Sequence, residues 1–198
     1  MATGQILPAR DQFRIAIRLD PLAGTPSVWL SLMLSFSGDY AGSEEEARRA
    51  WELDSTLWTA RSVLALDRLH LGKLAGARAA IATDQGGPWI GVSAFVLASM
   101  GDTARAAAIR RKLDGFPADT WMLNTAHAYA YLGIPDTSRA LAALEAAVRA
   151  REITPNWQPL AGRMYDGVRL SPRFARIVDG FGLSGRGLTS PLGGRPAR

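Results

Sequence analysis

Residues Ser31-Leu-Met-Leu-Ser-Phe-Ser-Gly38-Asp-Tyr40-Ala-Gly-Ser43-Glu-Glu-Glu-Ala47-Arg-Arg-Ala50 set two helical patterns on either side of one glycine. A small side chain stands seven positions before Gly38 (Ser31) and another five after it (Ser43). Two antiparallel helices come close only where each offers a small residue at the crossing. A glycine between them supplies the left-handed turn that ends the first helix. The arrangement recurs as Ala65, Gly72 and Ala77, and again as Ala94, Gly101 and Ala106. At Gly133 the preceding small residue is Ala126, and the following one, Ala140, comes two places late. Successive glycines lie 34, 29 and 32 residues apart, and Ala16 to Ala50 repeats the interval of 34. Large apolar residues such as Leu34, Leu97 and Tyr129 fill the layers beside the crossings. A drifting period of this length belongs to stacked helix–turn–helix units, so the fold class predicted is all-α, a solenoid of antiparallel helix pairs.

At these positions the chain resembles the tetratricopeptide (TPR) repeat family. Ala9, Phe13, Ala16 and Pro21 match the second half of a unit. Ser31, Gly38, Tyr40 and Ala50 match the next, with Ser55 where proline is usual, and Ala65, Gly72, Leu74, Ala77 and Ile81 match the third. Later units depart from the pattern: Thr103 replaces an aromatic residue, and the Gly133-Ile-Pro135 turn is lengthened. The resemblance covers roughly residues 8 to 150 and implies a right-handed solenoid. It also implies a concave groove built from the first helix of each pair, where a peptide or partner segment would lie. On the family's groove positions, the residues implied for partner binding are Val28, Leu32, Thr59, Ser62, Leu66, Phe95, Leu123 and His127. These positions carry no Lys, Arg or Asn, which separates the chain from TPR domains that clamp the carboxylate tails of chaperones.

A second resemblance lies near the C-terminal end. Leu170-Ser-Pro-Arg-Phe174-Ala-Arg-Ile177-Val178-Asp-Gly-Phe181-Gly-Leu183 is similar to the closing segment of TPR regions in large bacterial signalling proteins. That implies a possible parent with a kinase, cyclase or transcription-regulator domain. Ser171 suits an N-cap and Pro172 a first helical turn. Phe174, Ile177, Val178 and Phe181 fall on one helical stripe, so residues 171–181 are expected to cap the last repeat of a single domain spanning 8–183. Beyond it, 184–198 reads as a disordered basic tail. From residue 169 onward six arginines face one acid, Asp179, so this segment holds the whole net charge of +5 and residues 1–168 sum to zero. A charge confined to such Gly/Ser/Pro-rich composition implies solvation more than a nucleic-acid surface.

The chain has 198 residues, 47% of them hydrophobic, and no apolar run approaches the ~18 residues that span a bilayer. The start, Met1-Ala-Thr-Gly-Gln, lacks the basic and apolar regions of a secretory signal, so a cytoplasmic location is expected. The absence of cysteine excludes disulfides, thiolate metal sites and thiol nucleophiles. His70 and His127 are the only histidines and form no ligand-spaced pair. The Glu44-Glu45-Glu46 run is read as favourable placement at a helix start rather than as a metal site. Gly86-Gly87-Pro88 lacks the downstream Lys of a phosphate loop. The six tryptophans are assigned mainly to interhelix packing, with a minority as partner anchors.

The sequence therefore predicts a protein–protein interaction scaffold without cofactor, metal or catalytic residues. The alternative is a sensory region whose groove holds a small apolar ligand and controls an attached effector. Ala9 to Asp20 matches a second helix whose own first helix is not present before it. Preceding repeats of a longer parent, or a second copy, are expected to cover Phe13, Ile15, Ile17 and Leu19.

Overall fold

The structure, a computed structural model, describes residues 6–82, 89–134, 136–152 and 162–180. The described residues form ten α-helices and one 3-10 turn, with no strand among them. The helices are α1 (Ile6–Leu19), α2 (Gly24–Phe36), α3 (Tyr40–Leu53), α4 (Trp58–His70), α5 (Leu74–Ala80), α6 (Trp89–Ser99), α7 (Thr103–Asp114), α8 (Leu123–Leu132), α9 (Thr137–Arg149) and α10 (Pro172–Gly180). The 3-10 turn, Arg163–Tyr165, precedes α10. Consecutive helices pack on one another as adjacent pairs, and α2, α4, α6 and α8 also touch in that order. Among the described residues, α3, α5, α7 and α9 make no comparable contact with each other. Helices α2, α4, α6 and α8 thus form a continuous inner layer, and α3, α5, α7 and α9 splay apart outside it. No described helix is long and apolar enough to cross a membrane.

The turns explain the glycine period. Gly38, Gly72 and Gly101 have φ of 84°, 72° and 81°, the left-handed region that side chains avoid. The following N–H groups reach back to the last helical turn, from Asp39 to Leu34 at 3.0 Å, Lys73 to Arg68 at 2.8 Å and Asp102 to Leu97 at 2.9 Å. Asp39 and Asp102 then accept the N–H of Gly42 at 3.1 Å and Arg105 at 3.3 Å, which starts the next helix. A Gly-Asp doublet therefore closes one helix and opens the next. Gly133 departs from the expectation: its φ is −76°, within the right-handed region. Its smallness serves packing instead, because an added Cβ would stand 2.8 Å from the Phe95 Cα of α6.

The small residues meet as the spacing requires. Ser31, Ala65, Ala94 and Ala126 on first helices, and Ser43, Ala77, Ala106 and Ala140 on second helices, are all buried. Ser43 donates its hydroxyl to the Ser31 carbonyl at 2.7 Å, a bond made directly across the α2–α3 crossing. The acid run is a correction. Glu44 begins beyond the first turn of α3, where the helix dipole has largely faded. It instead accepts from Arg68 at 2.8 Å and Lys73 at 2.6 Å, tying α3 to the α4–α5 turn.

At the ends, α1 packs on α2 and stacks Phe13 on Trp29, with ring centroids 6.4 Å apart. Its outer face leaves Ile15 39% and Leu19 81% exposed. At the other end, Ser171 Oγ accepts the Arg173 N–H at 3.2 Å. Phe174, Ile177 and Val178 are buried, and Arg173 forks onto Glu145 of α9 at 3.0 and 2.8 Å. Phe181, the Gly86-Gly87-Pro88 turn and the 184–198 tail lie outside the described residues.

Candidate functional site

The inner layer forms one small apolar cleft of about 50 Å³. Trp29, Leu32 and Phe36 come from α2, Thr59, Ser62, Val63 and Leu66 from α4, Trp89 and Val92 from α6, and Tyr129 from α8. Met164, on the 3-10 turn, completes the wall. Residues three and four apart lie on one helix face, so Trp29–Leu32–Phe36 and Thr59–Ser62–Val63–Leu66 are single faces of α2 and α4 turned to the same space. The volume exceeds the ~10–15 Å³ that a water needs. It suits one side chain better than a length of chain.

The segment that carries Met164 is held firmly. Arg169 is buried despite its charge: its Nε donates to Asp166 at 3.1 Å and an Nη to the Gly162 carbonyl at 2.8 Å. Tyr165 and Val168 are buried in the main core, and Tyr165 packs on Phe174 of α10 with centroids 5.8 Å apart. Burial pushes the Tyr165 hydroxyl well above its ordinary range. Arg163 stands beside Tyr40 and His70, whose rings are 4.7 Å apart. Burial, reinforced by Arg163, lowers the His70 pKa, so this histidine stays neutral to below its usual value.

Four of the eight groove residues predicted from sequence, Leu32, Thr59, Ser62 and Leu66, line this cleft. The other four lie elsewhere. Val28 is buried with Ala50 and Ala60 between α2, α3 and α4. Phe95 is buried in the main core, and Leu123 packs with Ile90, Leu113 and Ala126. His127 is turned towards α7, its Nδ1 3.9 Å from an Asp114 carboxylate oxygen, and stacks with Tyr131. Burial lowers its pKa against the pull of Asp114 and Glu152. The reason is a close approach. A Cβ on Gly91 would collide with the Ala126 carbonyl and stand 2.8 Å from the Ala126 Cα. With α6 and α8 so tightly apposed, the faces bearing Gly91, Phe95 and Ala126 pack on each other, and Trp89, Val92 and Tyr129 face the cleft instead. The 29-residue interval before Gly101, Thr103 in place of an aromatic residue and the lengthened Gly133-Ile-Pro135 turn are the sequence signals of this departure.

Thr59, Ser62 and Tyr129 bring hydroxyls to the lining, and Trp29 and Trp89 bring indole N–H groups. Tyr129 is fully buried, and its hydroxyl has no hydrogen-bond partner among the described residues. No group of three His, Asp or Glu residues among the described residues is placed to hold a metal ion. No protein-family model matches the chain, and no curated protein or solved structure matches it significantly.

Proposed function

We propose that this chain is a non-catalytic, cytoplasmic protein-interaction module, a right-handed TPR-like solenoid whose concave face seats an apolar anchor of a partner segment. The observation that carries the reading is the convergence of Leu32, Thr59, Ser62 and Leu66 from successive inner helices on one apolar cleft. Desolvated pockets that accept a single large side chain are where protein interfaces concentrate their energy. Met164 narrows the cleft at one side, so the occupant is an anchor residue rather than a peptide laid along the whole groove.

A photo-crosslinking amino acid at Thr59, with the exposed Arg111 of α7 as control, tests this reading in cells. A discrete adduct is expected at Thr59 and not at Arg111, and Leu66→Glu should abolish it while circular dichroism remains that of the folded chain. Adducts that ignore Leu66→Glu, or that form equally at Arg111, remove the proposal.

One observation favours a second reading, a sensory region controlling an attached kinase, cyclase or regulator domain. Tyr129 lines the cleft and its buried hydroxyl is an unsatisfied donor among the described residues, which suits a small apolar ligand whose single acceptor reaches it. Native mass spectrometry of the purified chain separates the two readings: a retained small molecule, lost in Tyr129→Phe, supports the second.

A further inference from the structure

Asp67 is a fully buried carboxyl with no cation on it among the described residues. It lies on α4 next to the cleft residue Leu66 and one turn beyond Val63, and it faces α2 and α3. Ser35, next to the cleft residue Phe36 on α2, donates its hydroxyl to Asp67 Oδ1 at 2.7 Å. Oδ2 has no hydrogen-bond partner among the described residues. The Ser43 hydroxyl also stands against the carboxyl, but its proton is committed to the Ser31 carbonyl. The described part of α2 bears no charged residue, and the charges facing Asp67 from the α3 side, Asp39 and Glu44, are negative, while the Tyr40 phenol, its pKa raised by burial and by Asp67, is uncharged near neutrality. Arg68, the neighbouring cation on α4, is engaged by Glu44 at 2.8 Å. His70, further along α4, is turned to Tyr40.

This seat suits a neutral acid. A proton on Oδ2 turns an orphaned acceptor into a donor beside a serine oxygen whose lone pairs are available. An ionised carboxylate there keeps one hydrogen bond, faces two like charges and has lost its water. We infer that Asp67, Ser35 and Ser43 form a proton-sensitive latch between α4 and the α2–α3 pair that holds the cleft at its small volume when Asp67 is protonated and loosens it when Asp67 ionises. Burial, reinforced by Glu44 and Asp39, raises the Asp67 pKa to about 7 against the opposing hydrogen bonds, which puts the change in the neutral range. The latch rests on the partner-binding reading for its use, but it is measurable without any partner.

The test is a nuclear magnetic resonance titration of the full chain, following the Asp67 side-chain carbon and the methyl groups of Leu32 and Leu66 between pH 4 and 9. The carboxyl should titrate near pH 7, and both methyls should move with the same midpoint. Asp67→Asn should remove that methyl transition, leaving only the change that His70 causes at lower pH. Ser35→Ala, which takes away a donor favouring the carboxylate, should move the Asp67 midpoint upward and guards against misfolding of the first variant. An Asp67 midpoint below about 5, methyls that stay still while Asp67 titrates, or an unchanged methyl transition in Asp67→Asn would each overturn the latch. Failure of the crosslink at Thr59 would remove the partner reading and leave these resonances unaffected.

Discussion

Ser35 and Asp67, on helices α2 and α4, are joined by a hydrogen bond of 2.7 Å that is the described partner of a buried carboxyl. With the Asp67 pKa raised from 3.8 to about 7, the folded chain between those pH values holds a proton that the unfolded chain has released. Stability contributed by this group is therefore full below about pH 4 and falls as pH rises to about 7. Asp67→Asn should remove the fall. Urea unfolding should show the variant more stable by roughly 2–4 kcal/mol at pH 8 and equal to the parent near pH 4, from ~1.4 kcal/mol per pH unit. Parallel stability curves for the two chains would refute this account of Asp67.

Glu44 should behave in the opposite sense. Burial alone would raise its pKa, but hydrogen bonds from Lys73 and Arg68 overcome that and hold it below 4.5. Its stabilisation is present above the ordinary value and is lost as pH falls through the lowered one. Glu44→Gln should cost about 1–2 kcal/mol at pH 7, since the negative charge opposite the partly buried Arg68 is lost, and progressively less as pH falls through the lowered Glu44 pKa. The same urea series measures this decline.

Two glycine substitutions should separate crowding from backbone strain. Gly91→Ala drives a methyl into the Ala126 backbone where α6 meets α8 and should lower stability by about 2–3 kcal/mol or more. Gly101→Ala meets nothing within 4 Å, but φ is +81° there, so only the left-handed penalty of about 1–2 kcal/mol applies. Thermal unfolding of both variants should rank them in that order.

Phe174→Ala should cost about 3–5 kcal/mol, because the ring is wholly buried against Tyr165 and anchors α10. The loss should also free Met164 from the cleft, seen as a changed Trp29 or Trp89 emission. A loss below 1 kcal/mol would mean that α10 is an appendage rather than a cap.

Much of the helix pairing is legible in the sequence. The Gly38, Gly72 and Gly101 interval marks a conformation that only glycine takes without penalty, and the small residues around each glycine record where helices cross. The Ser171–Val178 stripe likewise announces its own helix and buried face, because caps and periodicity are local properties. What faces the cleft is not local. Trp89, Val92 and Tyr129 reach it, and Phe95, Leu123 and His127 do not, because Gly91 and Gly133 let α6 and α8 close in, and that depth depends on both helices at once. Met164 joins Leu66 from nearly a hundred residues away, which no spacing rule anticipates. Asp67, between Leu66 and Arg68, has the local pattern of a solvated charge. Only the packing of α2 and α3 over α4 withdraws its water and leaves it a single hydroxyl donor.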